Sequence, residues 1–287
     1  MWANTDKNVY IYVMTPYNNI PNLFSDTITG AKGNYNILVY LPSDYLTKQY
    51  PCVLFYNGRG EDTGDVSALA KYSILYEIAS NGYKPSCVAL CVQALGWEPQ
   101  QNTIYTTLKK RYNFGKVVLT GLSEGAWVST DILGGLSMPG LTVPGPNNPI
   151  QADTVCFVSM SSQADINSYG PAVPLIAKSG IPVLGTGDLA GDSHAVDTDN
   201  MIIALQKANP SGNYTFINTP GTGHGGWNTL SDPNYKLPNG QNIWDWALSF
   251  AGGPVVVAPP TTTPVTPTAP ILIATIQVYS DGSIKKV

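Results

Sequence analysis

From Cys52 onward, short apolar runs alternate with longer segments whose apolar residues recur at helical spacing. The runs Cys52–Tyr56, Cys87–Gln93, Lys116–Thr120, Thr154–Val158, Pro182–Gly185 and Tyr214–Asn218 predict strands. Val66–Ser80, Thr103–Arg111, Glu124–Leu133, Gly170–Ser179, Ala195–Ala208 and Gln241–Ala251 predict helices. Regular strand–helix alternation predicts an α/β fold, with a mostly parallel sheet and helices on both faces. The strands are apolar throughout rather than alternating, which suits a sheet covered on both sides. Two earlier runs, Val9–Met14 and Tyr35–Leu41, predict an N-terminal antiparallel hairpin that enters the sheet.

The pattern is interrupted twice. Ser137–Gln151 is rich in Pro, Gly and Asn and predicts a long loop at the far end of the sheet from any site above the strands. After Phe250 the helical period stops, and residues 254–270 form a Pro/Thr tract, predicting an extended, semi-rigid linker. Beyond it, Ile271–Val287 alternates like a strand and meets a turn signal at Asp281-Gly282, as the start of a further β module would. The expected organisation is a catalytic-size domain over 1–253, a linker over 254–270 and a module or fragment over 271–287. Such a linker suits a longer, modular, secreted or cell-surface protein. Met1–Asp6 lacks the basic and apolar regions of a secretory signal.

Composition narrows the partners. Charged residues are 12% of the 287, about half the usual share, and the net charge is −4. Arg59 and Arg111 are the only arginines and no basic cluster occurs, which argues against nucleic acid. No apolar run is long enough for a bilayer span. Cys52, Cys87, Cys91 and Cys156 all lie in apolar runs, as buried free thiols do, with a Cys52–Cys91 bridge between neighbouring strands left open.

The chemistry centres on Gly121-Leu122-Ser123-Glu124-Gly125, a G-x-S-x-G directly after a predicted strand and directly before a predicted helix. A sharp strand-to-helix turn lifts a serine hydroxyl above the sheet, and the flanking glycines remove side chains that would clash there. The hydroxyl needs a base, and only two histidines exist. His224 lies in a glycine-rich loop between the last strand and the last helix, where a base belongs in the chain order Ser, Asp, His. His194, at a predicted helix start, reads as a cap or surface residue. For the carboxylate that fixes the histidine's tautomer, Asp188 stands at a strand's C-terminal end and is preferred. Asp192, four residues on, is the alternative; either aspartate could equally serve as a turn or N-cap residue. Oxyanion donors are expected from the backbone N–H of Glu124 and from the loop Asn57-Gly58-Arg59-Gly60-Glu61, with Arg59 first and Gly60 next. The Arg59 side chain could engage a substrate anion or pair with Glu61 or Glu124.

These four segments, taken in order, resemble the α/β-hydrolase esterases: carbohydrate esterases related to feruloyl and acetylxylan esterases, polyhydroxybutyrate depolymerases and phospholipase/carboxylesterases. The resemblance spans about residues 30–251. It implies Ser123 as nucleophile, Asp188 as acid and His224 as base, working through an acyl-enzyme. Two positions depart from the pattern. Asn57 stands where that group usually has His, a structural position, so catalysis is expected to survive. Glu124 replaces the commoner Met, Gln or Ala and brings a carboxylate beside the oxyanion site, which disfavours anionic substrates. Trp97, Trp127 and Trp227 are candidates for an aromatic platform under a sugar or phenolic acyl group, with core packing the competing role. The resulting expectation is a serine esterase without metal or organic cofactor, acting on feruloyl or acetyl esters of plant polysaccharide. A small-ester or lipid carboxylesterase and a catalytically silent sugar-binding member of the fold are the rivals.

Overall fold

The structure is a computed structural model and describes residues 14–135, 148–256, 276–278 and 284–286. In chain order, a short edge strand β1 (Thr15–Pro16) precedes β2 (Leu23–Gly30), β3 (Gly33–Tyr40) and β4 (Lys48–Tyr56). Then follow α1 (Ser73–Asn81), β5 (Val88–Val92), α2 (Gln101–Tyr112), β6 (Phe114–Leu122), α3 (Glu124–Gly134) and α4 (Pro149–Asp153). The remainder is β7 (Thr154–Met160), α5 (Ile166–Ser179), β8 (Val183–Gly187), α6 (Ser193–Ala208), β9 (Tyr214–Asn218), α7 (Trp227–Ser231), α8 (Ile243–Ser249) and β10 (Val255–Val256). The sheet order is β1-β2-β3-β5-β4-β6-β7-β8-β9, with β10 paired to β4. Strands β5, β4, β6, β7, β8 and β9 are parallel, while β1, β2 and β3 form an antiparallel flank.

The side chains of successive strand residues divide between the two faces. Cys52, Leu54 and Tyr56 join the core under α2, α3, α5 and α6, whereas Val53 and Phe55 join the core under α1 and α8. Both cores are dry enough that Leu54, Leu90, Val118, Leu119 and Phe157 are fully buried. Each such large side chain contributes about 1.5–3 kcal/mol relative to exposure. The same alternation separates the thiols: Cys52 faces one core, Cys87 and Cys91 the other, and Cys52 is level with Val88. The Cys52–Cys91 bridge left open above is therefore geometrically excluded, and all four cysteines are buried free thiols.

The N-terminal hairpin is present, but its first strand is β2, paired in register with β3 from Leu23–Tyr40 to Gly30–Gly33. The expected strand Val9–Met14 lies outside the described residues, except for Met14. β2 breaks the apolar pattern because it carries Asp26, which accepts hydrogen bonds from Arg111 and Tyr112 at 2.7 Å and so ties the hairpin to the end of α2. Most of the expected loop 137–151 is also outside the described residues, as are 257–275. Val255 and Val256, at the start of the expected linker, add an antiparallel pair to Gln49 and Lys48. The chain divides into two compact units, Met1–Val256 and Val257–Val287. In the second unit, Ile276–Val278 and Ile284–Lys286 form a two-stranded antiparallel ladder. No helix among the described residues is long and apolar enough to cross a membrane.

Candidate active site

The site lies at the C-terminal ends of the parallel strands, where loops from β4, β6, β7, β8 and β9 meet. Ser123 occupies the turn between β6 and α3 with φ 53° and ψ −120°, a conformation that costs a residue with a Cβ of order 1–3 kcal/mol. The turn is held because the Ser123 N–H donates to the Met160 carbonyl at 2.9 Å. Both glycines of the motif are sterically required. A Cβ on Gly121 would clash with the Gly125 carbonyl, and one on Gly125 would clash with the Tyr56 carbonyl. The second of these contacts brings the start of α3 against the end of β4.

Ser123 is 6% exposed, and its Oγ lies 3.0 Å from His224 Nε2. His224 arrives on the β9–α7 loop, where Gly223 (φ 55°) and Gly226 (φ 73°) take left-handed conformations that glycine adopts without strain. Its Nδ1 donates to Asp192 Oδ2 at 2.9 Å. That bond fixes the tautomer in which Nε2 is bare and able to accept the serine proton. The preferred acid, Asp188, is not the one that reaches the histidine. Its Oδ2 accepts the Gly223 N–H at 2.9 Å and its Oδ1 the Ala190 N–H at 3.1 Å. Backbone donation, led by Gly223, holds its carboxyl below the usual carboxylate range. Asp188 is therefore spent on fastening the residue before His224. The Asp192 N–H bonds back to the Asp188 carbonyl at 2.9 Å, and this tight turn carries the second aspartate round to the imidazole. Asp192 is also the N-cap of α6, with Oδ1 accepting the His194 N–H at 3.0 Å. The cap role and the histidine contact fall to different oxygens of one side chain.

His224 sits between two rings. Trp227 meets it edge-on at 5.1 Å and 90°, and His194 at 5.0 Å and 66°. Tyr72 backs Trp227 in turn at 5.1 Å. Of the three candidate tryptophans, Trp227 is the one whose ring packs on His224 among the described residues, while Trp127 meets Ser123 only through its backbone N–H, which donates to the Ser123 carbonyl at 3.2 Å. Trp127 packs against the core and donates its indole N–H to Ser168 Oγ at 3.0 Å. Trp97 lines a narrow cavity with Asn57, Asp62, Glu124 and Val128, on the other side of the α3 N-terminus.

On that side, Arg59 and Gly60 are exposed in a single 3-10 turn, Arg59–Glu61, after β4. Arg59, Gly60 and Glu124 stand at the first positions of the 3-10 turn and of α3, where backbone N–H groups have no acceptor within their own helix. The Glu124 side chain is buried, and its Oε2 has no hydrogen-bond partner. Burial raises its carboxyl above the usual range, opposed by the Arg59 charge. Glu61 is likewise buried with an unpartnered Oε2, and burial lifts it to about 6. Asn57 stays structural: its Nδ2 donates to Asp62 Oδ1 at 2.6 Å and its Oδ1 accepts the Ala94 N–H at 3.2 Å. A residue that sequence reasoning missed, Gln163, places Nε2 3.1 Å from Ser123 Oγ. Among the described residues no cluster of three or more His, Cys, Asp or Glu is arranged to hold a metal ion.

No family profile matches the sequence, and comparison with curated proteins finds no significant relative. Solved structures do resemble the fold. The feruloyl esterase module from Clostridium thermocellum, complexed with sinapinate, matches with TM-score 0.54 and 13% identity over 85% of this chain and 97% of its own. The Pyrobaculum calidifontis esterase matches with TM-score 0.53 and 15% identity over 81% and 86%. A fungal esterase from Rhizomucor miehei matches with TM-score 0.52 and 12% identity over 79% and 83%. The chain therefore has the α/β-hydrolase fold.

Proposed function

We propose that the chain is a serine carboxylic-ester hydrolase that works through an acyl-enzyme. The observation that carries this reading is the unbroken line of contacts from Ser123 Oγ to His224 Nε2 and from His224 Nδ1 to Asp192, mounted on a strained strand-to-helix turn. In the first step Oγ bonds to the ester carbon, the carbonyl π pair moves onto its oxygen, and the serine proton passes to Nε2. The N–H groups of Glu124 and Arg59 receive the oxyanion, Gly60 being the second choice for the latter. The alcohol leaves with the proton from Nε2. Water then repeats the sequence on the acyl-enzyme and releases the acid.

For the substrate, we favour feruloyl or acetyl esters on plant polysaccharide. Support comes from likeness to a feruloyl esterase module, from an aromatic ring, Trp227, packed on the base, and from the Pro/Thr tract expected to join a further module of a secreted protein. The small-ester carboxylesterase reading draws on the 37% exposure that the His224 side chain keeps among the described residues. Hydrolysis of p-nitrophenyl acetate by wild type and Ser123→Ala tests the reaction. A loss of about a thousandfold or more in the variant is expected, and equal rates would end the enzyme reading. Methyl ferulate and acetylated xylan, run beside short-chain p-nitrophenyl esters, then separate the substrates.

A further inference from the structure

The mechanism above uses three side chains, yet a fourth touches the nucleophile. Gln163 follows β7 in a turn that is pinned throughout. The Ser161 N–H donates to the Thr186 carbonyl at 2.8 Å, the Ser162 N–H to Thr198 Oγ1 at 2.8 Å, and the Ala164 N–H to Ser162 Oγ at 3.1 Å. The Gln163 N–H itself donates to the Ser123 carbonyl at 3.3 Å, so its backbone is fixed to the nucleophile's own residue. From there its carboxamide reaches Ser123 Oγ at 3.1 Å. The hydroxyl has one proton, and His224 claims it. Oγ therefore faces Gln163 with a lone pair, and only the NH₂ end of the amide can satisfy it.

We propose that Gln163 is a catalytic residue that donates to Ser123 Oγ and stabilises the negative charge passing through that atom; this rests on the ester-hydrolase reading. Charge appears there twice. In acylation Oγ gives up its proton to Nε2 as the Oγ–carbon bond forms. In deacylation a water oxygen bonds to the acyl carbon and its proton goes to Nε2. The carbon–Oγ bond then breaks with its electron pair on Oγ, and Oγ recovers a proton from Nε2. A hydrogen bond to a charged acceptor is about twice as strong as one to a neutral acceptor. The Gln163 contact therefore tightens on the way to both transition states. The oxyanion donors act on the carbonyl oxygen and Gln163 on the serine oxygen, so the two contributions are separate.

The test compares the full chain as wild type, Ser123→Ala, Gln163→Met and Gln163→Glu on p-nitrophenyl acetate. Gln163→Met keeps the side-chain length and removes the donor. It is expected to lower kcat about tenfold, with KM within about twofold and the melting temperature unchanged. Gln163→Glu keeps the shape and places a carboxylate beside Oγ and the imidazole. It is expected to move the acid limb of the kcat/KM profile to higher pH, because the new charge favours protonated His224. The proposal is overturned by wild-type kcat in Gln163→Met, or by equal losses in both variants with the acid limb unmoved, as a packing defect would give. Failure of the ester-hydrolase reading would show separately, as hydrolysis in wild type that does not depend on Ser123.

Discussion

Two sides of the nucleophile treat their carboxylates in opposite ways. On the base side, Asp188 and Asp192 use all four oxygens: two on Gly223 and Ala190, one on His194 and one on His224. On the β4 side, Glu61 and Glu124 each bury an oxygen with no partner, beside the helix-start N–H groups of Arg59, Gly60 and Glu124. A saturated network fixes geometry, because every displacement breaks a bond. An unsaturated one costs free energy at rest and responds to whatever charge enters. On the proposed reading, the protein holds its proton-transfer apparatus rigid and leaves the side that would receive the oxyanion less fully bonded.

The contrast can be broken by substitution, starting with the base side. Asp192→Asn keeps the shape but allows the wrong histidine tautomer, and kcat for p-nitrophenyl acetate is expected to fall about 10⁴-fold. Asp188→Asn loosens the loop before His224 without touching the ring. We expect a loss of about tenfold, with a melting temperature lower by about 2–4 °C for each kcal/mol lost. If Asp188→Asn proves the more damaging to kcat, the assignment of the two oxygen sets is wrong.

Effects on the β4 side are smaller and depend on pH. Glu124 ionises later than an ordinary carboxylate because it is buried, and once ionised it opposes negative charge on the neighbouring oxyanion. The kcat ratio of Glu124→Gln to wild type is therefore expected to rise as pH climbs above the ordinary carboxylate range, by about two- to fivefold; a flat ratio would remove Glu124 from the electrostatics of the site. Glu61 gives the smallest effect, and it concerns stability. Its folded carboxyl titrates near 6, above the ordinary 4.5. The folded protein thus holds a proton that the unfolded chain has released, and stability falls as pH rises from about 4.5 through 6. Denaturant unfolding should show Glu61→Gln gaining on wild type across that window, on the order of 1 kcal/mol.

Much of this was legible in the residues. The cores of the central parallel strands are continuous apolar runs, so their type and their alternation with helices followed from pattern, and Ser123 and His224 were singled out from motif and chain order. β2 was not legible, because its stabilising contacts run through Asp26 to Arg111 and Tyr112, residues 85 and 86 positions away. The choice between Asp188 and Asp192 depended on a turn. Both stand after β8, and only the backbone bond from the Asp192 N–H to the Asp188 carbonyl brings the second round to face the imidazole. The Asp192-Ser193-His194 stretch did read as a helix cap, and it is one. What no local pattern states is that a cap has a spare oxygen. Gln163 carried no signal at all: a polar residue after a strand is ordinary, and its closeness to Ser123 exists only in the folded chain.

The backbone of Ser123 has a consequence for how such a protein would age under mutation. At φ 53° and ψ −120° the position suits glycine better than any residue with a Cβ. Ser123→Gly should unfold at higher denaturant than Ser123→Ala. For a lineage selected only to fold or to bind, replacing this serine by glycine would be a step downhill, open at a single position. Serine at this position goes against the preference of the backbone, and the silent-module alternative supplies no need for its hydroxyl.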